Sequence, residues 1–283
     1  MREIKIWKMI LIWGITIISS VFGILIFAEV AGIHEYVLMN ISDILITFIM
    51  FLLILIITLI FGRVNIKLIK ERYSDFKKKV NIKEIISFVA TQLLLTMGLS
   101  NLSSGIIAII DKDKVLNMMN DTSMIPTNNF ELILCFISIV ILAPVLEEIT
   151  FRKVLFIRLS RKLGFVISAV ISSLIFGIGH DSLGILGAMA FGIGCCILYR
   201  KYNNIVASIT VHMFNNLIAG IILIICYFTN AITVETTVIT NSDINIYLIM
   251  GSIETIIALI IFVKFILKNK HFISKKKREQ LLV

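Results

Sequence analysis

The chain has 283 residues, of which 58% are hydrophobic and 16% charged, and its mean hydropathy is +1.00. Long uncharged runs separated by short polar loops exclude a soluble multidomain chain and describe an all-α, polytopic membrane protein. A formal charge of +9 would suit nucleic acid in a soluble protein, but here the basic residues sit between apolar runs, so they read as topology signals and no nucleic-acid partner is expected.

About eight transmembrane helices are predicted, at roughly 6–31, 42–62, 85–110, 130–157, 164–180, 183–199, 204–228 and 244–267. Each is near the ~20 residues that a bilayer requires. The first run has a basic flank of Arg2, Lys5 and Lys8, as a signal peptide would. Its apolar part is too long for one, so an uncleaved helix is expected. The orientation follows from the basic loops. With the N-terminus in the cytoplasm, the loop 63–84 is inside and carries Arg63, Lys67, Lys70, Arg72, Lys77, Lys78, Lys79 and Lys83. Arg158, Arg161, Lys162, Arg200, Lys201 and the tail with Lys275, Lys276, Lys277 and Arg278 then fall on the same side. Of the 27 Lys and Arg residues, Lys112 and Lys114 are the two left in outer loops. Both termini are therefore expected in the cytoplasm, with the chain integral to the plasma membrane.

The third run is interrupted by Gly98-Leu-Ser-Asn-Leu-Ser-Ser-Gly105. That is compatible with one long helix, a kinked one, or a helix followed by an interfacial piece. Residues 111–129, rich in Asn and Asp and containing Pro126, read as an outer loop. No repeat, low-complexity segment or separate soluble domain is evident, so residues 1–283 read as one integral membrane domain. Cys135, Cys195, Cys196 and Cys226 all lie inside apolar runs without a C-x-x-C pattern and read as small packing residues. His34 and His271 fall outside the core and are assigned no role.

The fourth run carries the chemistry. It contains Ala143-Pro-Val-Leu-Glu147-Glu148-Ile-Thr-Phe-Arg152. One central charge costs roughly 2.5–3.5 kcal/mol on insertion scales, so two adjacent carboxylates mark a functional site. On an α-helix Glu147 and Glu148 are about 100° apart and cannot face the same way. Arg152 follows Glu148 at i,i+4, the favourable order for an ion pair. Glu148 and Arg152 then read as a structural pair, and Glu147 is left as the carboxylate without a local partner. Pro144 removes one helix hydrogen bond, which is expected to kink the helix and free the Val140 carbonyl.

Two neighbouring runs supply polar partners. Phe176 and His180 share a face of the fifth, and His212 and Asn216 share a face of the seventh. Counted at ~1.5 Å per residue from the turn near Lys162, Glu147 and His180 both lie about 22–27 Å away, so they can meet. His212, roughly 15 Å above the turn near Tyr202, joins them if the first hairpin reaches about 10 Å into the cytoplasm. Asn215 is also within reach of His212, and spacing does not decide which Asn faces the site. Phe176 reads as packing.

Glu147-Glu148-x-x-x-Arg152, Phe176-x-x-x-His180 and His212-x-x-x-Asn216, in this order, resemble the CPBP family of intramembrane proteases. That family includes CAAX prenyl endopeptidases and bacteriocin-processing and immunity relatives of the Abi type. The resemblance covers a four-helix catalytic core of about residues 128–228. It implies hydrolysis of a peptide bond in a membrane-associated peptide or protein. Glu147 with His180 would activate water, and His212 and Asn216 would stabilise the oxyanion. Glu148, Arg152 and Phe176 would support them. No cofactor is favoured. A metalloprotease reading remains, in which Glu147, His180 and His212 would hold zinc. The Ile-, Lys- and Asn-rich usage points to an AT-rich bacterial genome, so processing of secreted peptides such as bacteriocin precursors is favoured over prenylated substrates. The alternatives are a proton-coupled transporter using the same ionisable residues and a non-catalytic immunity protein.

Overall fold

The computed structural model describes residues 4–30, 43–121, 125–229 and 238–274. His34 and the basic tail from Lys275 onward lie outside these. The described elements are α1 (Ile6–Val30), α2 (Asp43–Phe61), α3 (Ile66–Lys79), α4 (Ile82–Ile110), α5 (Lys112–Met119), α6 (Asn129–Leu163), α7 (Phe165–Ile178), α8 (Ile185–Tyr202), α9 (Ile205–Phe228), α10 (Asn241–Lys268) and α11 (Lys270–Ser274). All eight predicted runs appear as helices. Among the described residues, six of the helices are long and apolar enough to cross a membrane: α2, α4, α6, α8, α9 and α10. The shorter α7 has 14 residues, about 21 Å of helix against a hydrocarbon core of about 30 Å.

Three layers build the bundle. Helices α6–α9 form the middle, α1 and α2 pack against α6 on one side, and the α4–α10 pair packs against α8 and α9 on the other. Helix starts follow local chemistry. Asn65, Asn81, Asn128 and Asn204 each accept a hydrogen bond from a backbone N–H in the first turn of α3, α4, α6 and α9. Helix α8 ends on Asn203, whose φ of 47° and ψ of 38° reverse the chain into α9.

The interrupted third run is one continuous helix of 29 residues. Its small residues serve close approach. A Cβ on Gly98 would stand 2.6 Å from the Thr255 backbone nitrogen, and one on Gly251 would stand 2.6 Å from that of Leu102. In hydrocarbon, contacts of this kind replace the hydrophobic drive that packs soluble helices. Asn101 Nδ2 donates to Glu254 Oε2 at 2.9 Å across the same interface. The loop at 111–129 contains a short helix, α5, whose start is capped by Asp111 Oδ1 accepting from the Lys114 N–H. Helix α3 is amphipathic and lies against the start of α9, where Asn204 Nδ2 donates to the Arg72 carbonyl at 2.7 Å. The side chain of Lys79, 2.6 Å from Asp75, holds that carboxyl below the usual range.

Candidate active site

Helix α6 departs from α-geometry twice, at Ser138–Leu142 and at Glu148–Phe156, where the backbone widens to π-helical turns. Such bulges cluster at functional sites. Pro144 is buried in the short α-helical stretch between them. In the first π-turn the N–H of Ala143 reaches the carbonyl of Ser138, five residues back. Pro144 has no N–H, so the next carbonyl in that pattern, Ile139, loses its backbone donor. Asn216 Nδ2 takes its place at 2.9 Å. This corrects the sequence reading, which named Val140 because it assumed an i−4 ladder.

The second π-turn begins at Glu148, so the two carboxylates stand at the junction of two helix geometries. Their expected divergence is only partly right. The ring of His212, from α9, inserts between them. Its Nδ1 lies 3.0 Å from Glu148 Oε1 and its Nε2 lies 3.7 Å from Glu147 Oε2. The two nitrogens point to different edges of one ring, so two diverging carboxylates can both meet it. Glu148 also pairs with Arg152, whose Nε is 3.2 Å from Glu148 Oε2, as the i,i+4 spacing indicated. Glu148 and Arg152 are fully buried, whereas the Glu147 side chain keeps 18% of its surface open. The pair is thus sealed and Glu147 is the carboxylate that solvent or substrate can reach.

Phe176 packs, as expected, and does so against the polar side chains of the site. It is buried, and the Arg152 guanidinium lies over its ring at 4.4 Å from the centroid. Phe151, His180 and His212 approach the same ring at 5.2, 4.6 and 5.8 Å. One aromatic plate therefore contacts the cation of the pair and both histidines. His180 stands two residues beyond the end of α7, in the turn made at Gly179, and is exposed. Its Nδ1 is 2.9 Å from the Phe176 carbonyl. A carbonyl only accepts, so Nδ1–H donates to it and Nε2 stays outside that hydrogen bond. Asn215 Nδ2 donates to Asn216 Oδ1 at 3.2 Å, so the two amides act in series.

Three partners have no signature in the sequence motifs. Phe191 of α8 packs edge-on against His212, with ring centroids 4.9 Å apart. Ser172 of α7 donates to the Phe151 carbonyl at 2.8 Å, satisfying a carbonyl inside the second π-turn. Trp13 of α1 donates to Thr150 Oγ1 at 3.3 Å, anchoring the outer helix to the same turn. Cys195 and Cys196 are buried, as their apolar setting indicated. Among the described residues, no three His, Cys, Asp or Glu side chains are grouped so as to hold a metal ion. Glu147, His180 and His212 are thus not drawn together as a three-ligand cluster in this arrangement.

Residues 129–218, the stretch that carries these motifs, match a family described as Rce1-like, type II CAAX prenyl endopeptidase. Residues 129–218 thus resemble the CPBP family, in line with the motifs. Over 77 residues the chain is 40% identical to the putative membrane peptidase YdiL of Bacillus subtilis (strain 168), covering 27% of this chain and 32% of that protein. Over 161 residues it is 26% identical to the membrane-embedded CAAX protease MroQ of Staphylococcus aureus (strain USA300), covering 54% of this chain and 64% of that protein. Each match thus spans less than two thirds of the relative. No solved structure matches. The family match ends within α9, so α10 and the α1–α2 pair lie outside it.

Proposed function

We propose that this CPBP core is a metal-free intramembrane endopeptidase acting on a membrane-associated peptide or protein, with Glu147 as general base. The observation that carries the reading is the His212 ring seated between a sealed carboxylate and an open one. Glu148 accepts from Nδ1–H, which turns Nε2 towards Glu147 and the open side. When the ring carries both protons, its Nε2–H can donate to a developing oxyanion. Asn216 spends one amide hydrogen on Ile139 and keeps the other for the same oxygen.

Hydrolysis would then run on these side chains and one water. Glu147 takes a proton from a water that His180 Nε2 helps to orient. The hydroxide oxygen bonds to the scissile carbonyl carbon, and the carbonyl oxygen becomes the oxyanion held by His212 and Asn216. Protonated Glu147 passes its proton to the leaving amine nitrogen as the C–N bond breaks, and a carboxylic acid and an amine leave.

The test is cleavage of a membrane-anchored peptide library by purified protein in liposomes. Glu147→Gln and His180→Ala should each lower the rate by about 10²–10⁴ while the fold is kept. Unchanged cleavage in both variants removes the chemistry. Solute flux without any cleavage favours the transporter.

A further inference from the structure

At the end of the bundle that carries the basic loops, α4 and α10 enclose a cavity of about 380 Å³ far along the chain from the CPBP motifs. Its mouth is basic. Lys83 stands in the first turn of α4, and Lys264 and Lys268 stand one turn apart near the end of α10, all three exposed. The one carboxylate in the lining, Glu84, is already taken. Lys201 Nζ lies 2.5 and 2.7 Å from its two oxygens, and the Tyr202 hydroxyl donates to it at 2.9 Å. The three lysines thus face the cavity without a competing acid in its wall. The exposed Ser87 adds a hydroxyl to the same mouth.

The deeper wall is aromatic. Phe88 lies with its ring centroid 5.0 Å from Phe265 and 6.4 Å from Phe262. Cations at the rim over an apolar floor call for a ligand with an anionic head and a hydrocarbon tail. Both walls are spanning helices, so the tail has hydrocarbon to run into. A free phosphate would leave the aromatic floor to water. A single water needs only about 10–15 Å³ of such space, so the cavity takes a group many times larger. That suffices for a glycerol phosphate head and the first methylenes of its chains.

We infer that the cavity between α4 and α10 is a binding site for an anionic phospholipid, whose phosphate sits among Lys83, Lys264 and Lys268. Basic pockets between spanning helices commonly bind such heads. The inference stands apart from the peptidase reading, because none of these residues belongs to the catalytic set. It does have a route to it: Phe88 also packs on Phe191, 6.1 Å between centroids, and Phe191 packs on His212.

The experiment is photocrosslinking of a photoactivatable phosphatidylglycerol to the full chain in phosphatidylcholine nanodiscs, with the crosslinked peptides mapped by mass spectrometry. Crosslinks are expected within 83–91 and 261–268. Unlabelled phosphatidylglycerol should compete, and phosphatidylcholine and inorganic phosphate should not. Lys264→Gln/Lys268→Gln should weaken apparent affinity at least about tenfold, since each cation near the surface is worth about a fivefold factor. Lys83→Gln alone should weaken it about fivefold. Lys77→Gln/Lys78→Gln on the exposed face of α3 removes the same charge elsewhere and should change it less than twofold. Equal losses in both double variants, competition by phosphate, or crosslinks confined to other peptides would overturn the site.

Discussion

Glu148 ties a buried ion pair to the histidine of the candidate site. It is fully buried, holds Arg152 through one oxygen and His212 through the other. Glu148→Gln would leave the Arg152 charge without its counter-ion in a sealed site, a change that costs about 3–5 kcal/mol when one partner of a buried pair is removed. A lowered thermal midpoint together with lost cleavage is expected, and the thermal shift measures the first effect alone. The i,i+4 pair was legible because spacing alone places Glu148 and Arg152 together. The contact to His212 was not, because it depends on the width of the backbone at residue 148 and on the register of α9.

Among the elements, α6 is where the ladder of backbone bonds is rewritten. Pro144 removes a donor, the π-turn moves the orphaned acceptor to Ile139, and Asn216 answers it from another helix. Asn216→Ala should therefore destabilise the protein by about 1–3 kcal/mol, the cost of a buried unpaired carbonyl. Pro144→Ala restores a backbone N–H. In the double variant stability should recover in part while cleavage stays low, because the oxyanion amide is still missing. Full additivity of the two stability losses would show that the residues do not share Ile139. The α4–α10 pair rests on a different device, close glycine contact. Gly98→Leu has no room against Thr255, so a fall in thermal midpoint is expected, measured on the purified protein. Sequence alone left this run open between three forms, because small polar residues weaken a helix in water but tighten a helix pair in hydrocarbon. Likewise His180 was read as the last residue of its helix, although Gly179 ends α7 before it.

At the scale of the molecule, apolar runs and basic loops carried most of the information. Run lengths located all eight helices, since burying backbone in hydrocarbon leaves few other solutions. The layering did not follow from them, nor did Glu254, a carboxylate within α10 whose partner Asn101 lies 153 residues away in sequence. The expected topology puts α3 in the cytoplasm and α5 outside. Single cysteines at Lys67→Cys and Asp113→Cys, in a background without the native cysteines, should be labelled by an impermeant reagent from opposite faces of sealed vesicles. Labelling from the same face would refute that orientation.

Glu147 is proposed as the base that hydrolyses a peptide bond without a metal. That role is tested most directly by one assay: cleavage of a membrane-anchored peptide by the purified wild type and by Glu147→Gln, each with a strong chelator and then with zinc restored. Wild-type cleavage should be unchanged by the chelator, and Glu147→Gln should lose about 10² or more under every condition. Wild-type activity abolished by the chelator and recovered with zinc, or full activity in Glu147→Gln, would contradict it.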